Sequence, residues 1–347
     1  MNANVCFLST LAAFFTSWLP DVKGLSENTI RSYQYAFALL FEYLHDVLGT
    51  DPSKVTFDTM TKNVLTGYLN WLEETRGCLP RTRNQRLAAL SSFATYAIGE
   101  DPIKAMGFCS TIKSIPAKRV AKDTFPPYFS IKEIEQLLAL PDTSKRRGYR
   151  DAVLLSVMYS SGARAQEVCD IRVSDCHFGE QTTLTLVGKG RKIRQVVIPS
   201  PCAKLLEGFI SHNNPSHLSA EGQSRHLFSS QTHEHMSVSC IEAIVKKYVT
   251  EAKEKYPNLY NDGPYSPHSF RHSIAVHMLE AGIPLPIIKV FLGHASIEST
   301  MVYATVSPEL AGKYLLEKTP VLGIKTTGWK KFISDALPFL LKYSCKA

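Results

Sequence analysis

"SPHSFRHSIAVHMLEAG", residues 266–282, places His268, Arg271 and His272 within five positions at the head of an apolar-periodic segment. The apolar spacing reads as a helix, so His268 and Arg271 stand one turn apart on the same face and can reach a common group. His268 and His272, at i and i+4, have the spacing of two zinc ligands. HExxH is absent and no third ligand is evident, so the segment does not read as a metal site.

Downstream, "PLPIIKVFL" and "SIESTMVYA" read as two further helices, with Gly293 and His294 between them and Tyr303 near the end of the second. Upstream, "YSSGARAQEVCDI" reads as two helical segments broken at Gly162, with Arg164 and Glu167 one turn apart. Taken alone, that pair is no more than a surface ion pair of small value. Alternation in "TTLTLVG" and "RQVVIP" around "KGRKI" reads as a β-hairpin with Lys189 at its tip. The same stretch invites a phosphate-loop reading, but it lacks the GxxxxGK[ST] spacing and sits on a hairpin rather than between strand and helix. The region begins at "SIKEIEQLLAL", where Ser130 and Glu133 form a capping box.

The first hundred residues read as helices throughout. An opening amphipathic helix carries Phe7, Leu11, Phe14, Phe15, Trp18 and Leu19. A second, N-capped by Ser26, turns Tyr33, Phe37, Leu40, Phe41 and Leu44 to one side, and "TKNVLTGYLNWLEE" gives a third. The fourth, "RTRNQRLAALSSFATYAI", buries Leu87, Leu90, Phe93, Ala94 and Ala97 and crowds Arg81, Arg83 and Arg86 at its start. Cations there oppose the helix dipole, so these arginines either take an external anion or are simply solvated. From Thr111 to Phe129 three prolines and four basic residues interrupt the periodicity, which reads as a basic linker.

A chain of 347 residues is long enough for two domains. Lysine and arginine exceed aspartate and glutamate by 39 to 31, and Thr111 to Arg150 alone holds nine basic and four acidic residues, a local bias that favours a polyanionic partner. Eight scattered cysteines, without CxxC pairs, read as reduced thiols and a cytoplasmic setting. "VCFLSTLAAFFTSWLP" resembles a signal core but lacks a preceding basic residue and a cleavage-type site. No other stretch is long enough to span a bilayer.

Arg164, Lys189, His268, Arg271, His294 and Tyr303, in that order and with those neighbours, strongly resemble the tyrosine recombinase, or phage integrase, family. The likeness runs from about Thr10 to Pro320, with "LSENTIRSYQYAFALLFEYL" and "RTRNQRLAALSSFATYA" resembling the N-terminal module. Ala163 stands where the family often has leucine, and "YATVS" lacks the histidine often found after the tyrosine.

The resemblance implies a mainly α fold with a small antiparallel sheet. Residues 1–110 would be a helical, SAM-like core-binding domain, 111–129 the linker and 130–319 the catalytic domain. Because the helical module starts almost at Met1, the additional arm-site domain of larger integrases is not expected. The tail, 320–347, carries Trp329, Phe332, Ile333, Leu337, Leu340 and Leu341 as an apolar stripe that packs on its own domain or docks on a neighbouring protomer.

The family's chemistry implies that Arg164 and Arg271 clamp the scissile phosphate and Tyr303 attacks it, with His268 helping to remove the phenolic proton. His294 would donate a further hydrogen bond, Lys189 would protonate the leaving 5′ oxygen, and Glu167 would orient Arg164. His272 is given a structural or supporting contact. No metal or nucleotide is implied. Expected partners are double-stranded DNA with paired inverted half-sites and other copies of the chain, two per site and four in synapsis. Arg81, Arg83, Arg86, Lys118 and Arg119 are the candidate DNA contacts. A type IB topoisomerase, which relaxes DNA as a monomer by the same chemistry, and a silent DNA-binding factor are the rival readings.

Overall fold

The computed structural model describes residues 3–120, 126–213, 219–230, 233–261 and 263–304. The tail expected at 320–347 lies outside the described residues. The chain divides into two units between Asp123 and Thr124.

The first unit is helical. α1 (Ala3–Ala13) runs directly into a π-helical stretch, Phe14–Val22, that contains Pro20. Proline has no N–H and crowds the carbonyl four residues back, and the wider turn accommodates both defects, as the Lys23 N–H to Trp18 O bond of 2.9 Å shows. α2 (Glu27–Asp46), α3 (Lys62–Glu74) and α4 (Pro80–Glu100) follow the sequence expectation. Ser26 is the N-cap of α2, although its hydroxyl meets the Thr29 hydroxyl at 3.0 Å instead of a backbone N–H.

Phe93 is the hub of this core, with the rings of Phe7, Phe14, Phe37, Phe57 and Phe108 at 5.5, 5.3, 5.3, 6.2 and 5.9 Å. Offset and edge-on rings at these spacings add to the apolar burial, and losing such a side chain costs about 3–5 kcal/mol. α5 (Pro102–Ser114) runs into the first residues of the stretch read as a linker. Asp101 caps it through Lys104 N at 3.2 Å, and Ala105, Phe108, Cys109 and Ile112 bury one face at i, i+3, i+4 and i+7. Thr111 to Ser114 are therefore helical, and Ile115 also joins the core. At the other end of the expected linker, Phe129 is fully buried in the second unit, its N–H donating to Ser273 Oγ at 2.8 Å.

In the second unit α6 (Ile131–Leu138) carries the expected capping box: Ser130 N donates to Glu133 Oε2 at 2.7 Å and Glu133 N to Ser130 Oγ at 3.3 Å. α7 (Arg146–Ser161) and the short α8 (Ala165–Asp170) flank the Gly162 break. β1 (Cys176–His177), β2 (Thr183–Val187) and β3 (Ile193–Val197) form an antiparallel sheet in that order, with Thr183 opposite Val197 and Val187 opposite Ile193. The hairpin read from alternation is thus present, with Lys189–Arg191 in its turn. α9 (Ser200–Asn213), α10 (Ala220–Ser224), α11 (Val238–Lys255), α12 (Pro267–Glu280), α13 (Leu285–Leu292) and α14 (Glu298–Ala304) complete the described unit. The architecture is mainly α with one small antiparallel sheet. Among the described residues no helix is long and apolar enough to cross a membrane.

Candidate active site

The site is assembled where α7, α12 and α13 end or begin. Gly162 closes α7 at φ +57°, and a Cβ there would meet Leu292 Cδ2 and Phe291 Cε1 at 3.0 Å each. Only glycine combines that backbone with so close an approach to α13. The turn delivers Arg164 to the N-cap of α8, where its N–H donates to Glu167 Oε2 and its Nη1 to Oε1, both at 2.8 Å.

Glu167 is buried and has a second cation. Arg194, on β3, donates from Nη1 to Oε1 at 3.0 Å and from Nη2 to Oε2 at 2.8 Å, while its Nε holds Phe291 O at 3.0 Å. Burial opposes the Glu167 carboxylate, but the bonds from Arg194 and Arg164 outweigh it and keep its pKa below the ordinary value. Two glycines leave room for this network. A Cβ on Gly188 would stand 3.1 Å from Glu167 Oε1, and one on Gly293, at φ +65°, would stand 3.0 Å from Arg194 Cδ.

Arg271 is 1% exposed and donates from Nη1 to Gly162 O at 2.7 Å and from Nη2 to Leu292 O at 2.6 Å. Burial, followed by the charge of Arg164, lowers its pKa to about 10, so it is still a cation at neutral pH. The two carbonyls fix the guanidinium without neutralising it. Arg164 and Arg194 thus share the Glu167 carboxylate, while Arg271 is held by carbonyls alone.

Tyr303 is 2% exposed and packs with Ala275, Val276, Ile288 and Leu292. Its hydroxyl lies 3.1 Å from His272 Nδ1, and its ring stacks on His294 at 6.3 Å with 10° between the planes. His294 Nδ1 in turn meets Thr300 Oγ1 at 2.9 Å. Burial raises the Tyr303 pKa, against a lowering by Arg271 and Arg164. Burial, then nearby cations and histidines, pushes His272 and His294 down to about 4. His268 is lowered in the same way, by its surroundings first and then by Arg271 and Arg164. It is in the first turn of α12, edge-on to the His272 ring at 5.1 Å.

The structure therefore groups Arg164, Glu167, His268, Arg271, His294 and Tyr303 in one place. Lys189 opens the β2–β3 turn next to Gly188, and its side chain lies outside the described residues. The Tyr303 hydroxyl meets His272, and His268 flanks the His272 ring. Arg194 is the residue that reading missed. Its signal was available, because it shares the inward side of β3 with Val196, and a charge in a core-facing slot requires a buried partner.

The expected DNA contacts also divide. Arg83 and Arg86 are only 4% and 9% exposed. Arg83 Nη1 donates to Asn84 Oδ1 at 3.2 Å and Pro116 O at 3.3 Å; Arg86 Nη1 donates to Ser32 O at 3.3 Å and its guanidinium lies 5.0 Å over the Tyr35 ring. Both hold the helical unit together through these contacts. Lys118 pairs with Glu73 at 2.6 Å, while Arg81 and Arg119 are exposed. A cavity of about 520 Å³ lined in part by Arg146, Arg147, Arg150 and Arg225 opens at the other end of α7, a helix about 24 Å long, and contains none of the residues above.

Two family models cover most of the chain. The phage integrase family matches residues 128–309, and the phage integrase SAM-like domain matches residues 7–113. The putative integrase/recombinase y4rC of Sinorhizobium fredii is 28% identical over 323 residues, covering 93% of this chain and 95% of that relative. Tyrosine recombinase XerC of Chlamydia caviae is 29% identical over 310 residues, covering 85% and 94%. The fold is shared with the Tn1549 transposon integrase in complex with transposon right end DNA (TM-score 0.66, 14% identity, 90% of this chain and 99% of that one). It is also shared with XerH recombinase bound to a palindromic difH substrate (TM-score 0.65, 19% identity, 83% and 80%). With both halves matched in order, the chain belongs to the phage integrase family, the tyrosine-type site-specific DNA recombinases.

Proposed function

We propose that Arg164, Lys189, His268, Arg271, His294 and Tyr303 form the strand-cleavage centre of this recombinase. The observation that carries the reading is the charge imbalance: two guanidiniums share the Glu167 carboxylate and a third, that of Arg271, is held by backbone carbonyls, beside a tyrosine hydroxyl that meets the His272 imidazole. Such a site calls for an anion. A phosphodiester gains negative charge on its non-bridging oxygens as it becomes pentavalent, and guanidiniums fixed in advance stabilise that charge more than the ground state.

Tyr303 Oη attacks phosphorus, the bond to the 5′ oxygen breaks, and Lys189 supplies the proton that this oxygen needs. The product is a 3′-phosphotyrosyl link that keeps the ester energy, so rejoining uses neither metal ion nor ATP. Glu167 and Arg194 keep Arg164 in place and do not touch the phosphate.

Duplex DNA is the partner this chemistry requires. The arginine-lined cavity beyond α7 supports a polyanion, and the palindromic substrate of one structural relative supports a target of paired inverted half-sites. Two protomers per site and four in synapsis follow as the working assembly, with residues 1–110 as the core-binding half, 130–319 as the catalytic half, and the cytoplasm as the site of action. Incubating the purified chain with a plasmid carrying two copies of its site tests the reading. Deletion or inversion between the copies is expected; relaxation of any supercoiled plasmid without exchange contradicts it.

A further inference from the structure

We infer that Arg194 positions Lys189 for proton delivery to the leaving 5′ oxygen, by building with Glu167 the support on which the β2–β3 turn rests; the inference depends on Lys189 being the general acid. Val187 and Ile193 are the last paired residues of the hairpin, and the Gly188 N–H closes the turn on Lys192 O at 2.8 Å. Within the turn Gly190 and Arg191 both take left-handed backbone, at φ +75° and +58°. An arginine is disfavoured there, so the turn has to be held from outside itself. Its base supplies that hold: a Cβ on Gly188 would stand 3.1 Å from Glu167 Oε1, 3.5 Å from Lys192 O and 3.7 Å from Arg194 Nη1. The Gly188 backbone thus lies directly on the Glu167–Arg194 pair, and Lys189 is the next residue.

Arg194 brackets three elements with one side chain. Nη1 and Nη2 reach Glu167, at the start of α8 beside Arg164, and Nε reaches Phe291 O on α13. The next carbonyl of α13, that of Leu292, takes Arg271 at 2.6 Å. The hairpin is thereby fixed to both structures that aim the phosphate-binding arginines. The Arg194 and Glu167 side chains are only 10% and 4% exposed, so water competes little for these bonds. A lysine could not take over, because an ammonium is a point charge without the planar fork that serves a carboxylate and a carbonyl together.

Arg194 neither gives nor takes a proton. It decides where the Lys189 backbone stands when the 5′ oxygen leaves, and proton delivery fails once donor and acceptor are outside hydrogen-bond reach. Arg164 has two bonds of its own to Glu167, from N–H and Nη1. Loss of the Arg194 fork therefore spares the phosphate clamp more than it spares the turn.

The test is single-turnover cleavage by the full chain of two nicked suicide duplexes, one with an ordinary scissile phosphodiester and one with a 5′-bridging phosphorothiolate, whose leaving group needs no proton. Arg194→Ala, Arg194→Lys, Lys189→Ala, the double variant Lys189→Ala/Arg194→Lys and Arg271→Lys are each compared with wild type on the same duplex, with half-site binding and thermal unfolding measured alongside. Arg194→Lys should be slower by roughly 10–10²-fold on the phosphodiester and within about threefold of wild type on the phosphorothiolate. Arg271→Lys, which weakens the hold on the phosphate and not the proton supply, should be equally impaired on both. The double variant should be no more than about threefold slower than Lys189→Ala on the phosphodiester, because both changes remove one function. Equal defects of Arg194→Lys on the two duplexes, or a double variant slowed by the product of the single effects, would overturn the inference and leave Arg194 acting through Arg164 or the fold alone. Should Arg194→Ala fail to fold, Arg194→Lys, which keeps a charge beside Glu167, decides. If the phosphorothiolate does not restore Lys189→Ala, the general-acid reading and this inference fall together; if it restores Lys189→Ala but not Arg194→Lys, the inference falls alone.

Discussion

Arg194 grips Glu167 with both terminal nitrogens, at 3.0 and 2.8 Å, and so ties the hairpin to the carboxylate that orients Arg164. Breaking a buried pair leaves a buried charge uncompensated, which costs about 3–5 kcal/mol, with the lower end expected here because Arg164 still serves the carboxylate. Arg194→Ala should therefore lower stability in urea unfolding and slow cleavage further than its effect on DNA binding accounts for. A variant as stable as wild type would show that the Arg194 pair contributes nothing net.

The Gly162 carbonyl accepts from Arg271 while its Cα faces Leu292 and Phe291. Gly162→Ala has to place a methyl group 3.0 Å from both residues in a left-handed backbone, and the backbone alone costs about 1–2 kcal/mol. The accompanying shift moves the carbonyl that aims Arg271. Loss of both stability and cleavage rate is expected. Lost stability with an unchanged rate would detach Gly162 from the aiming of Arg271.

His272 and His294 both have folded pKa values of about 4, below the unfolded value of about 6.5. Between those limits the unfolded chain binds more protons, so stability falls as pH drops from about 6.5 towards 4. Glu167, depressed in the folded state, contributes above its unfolded value of about 4.3 and loses that contribution as pH falls through its folded pKa. Unfolding midpoints measured from pH 7 to 4 should therefore decline steadily. His294→Gln, which keeps a polar group near Thr300, should flatten the slope above pH 4, and an unchanged slope would assign the decline to other groups.

Lys189 follows the Gly188 that borders Glu167, which places its backbone beside the arginine network. If Lys189 is the general acid, it is needed only when the leaving oxygen needs a proton. Lys189→Ala should be slow on an ordinary phosphodiester and substantially restored on a 5′-bridging phosphorothiolate, whose leaving group needs none. Equal defects on both substrates would remove Lys189 from that role.

Much of this was legible because side-chain period reports burial. The β2–β3 hairpin, the capping box at Ser130 and the apolar faces of α2 and α4 were readable from local pattern, since each depends on neighbours within one element. What the sequence hid depends on partners far along the chain. Arg83 and Arg86 sit among basic residues at a helix start and look solvated until Pro116 and Ser32 supply carbonyls. Arg194 looks like a surface hairpin cation until Glu167 and Phe291 meet it. α5 was not read as a helix, because Pro116 and the lysines around it masked an apolar face whose spacing was regular through Ile112. The meeting of His272 with the Tyr303 hydroxyl depends on where α14 docks, which no pattern within α12 encodes.

The central claim is that Tyr303 forms the bond to DNA. Trapping the chain on a nicked suicide duplex, digesting the adduct and sequencing its peptides by mass spectrometry tests it most directly. The account predicts a nucleotide remnant on Tyr303, joined through a 3′-phosphate, formed in EDTA without added nucleotide and lost in Tyr303→Phe. A remnant on any other residue, or an adduct that persists in that variant, would contradict it.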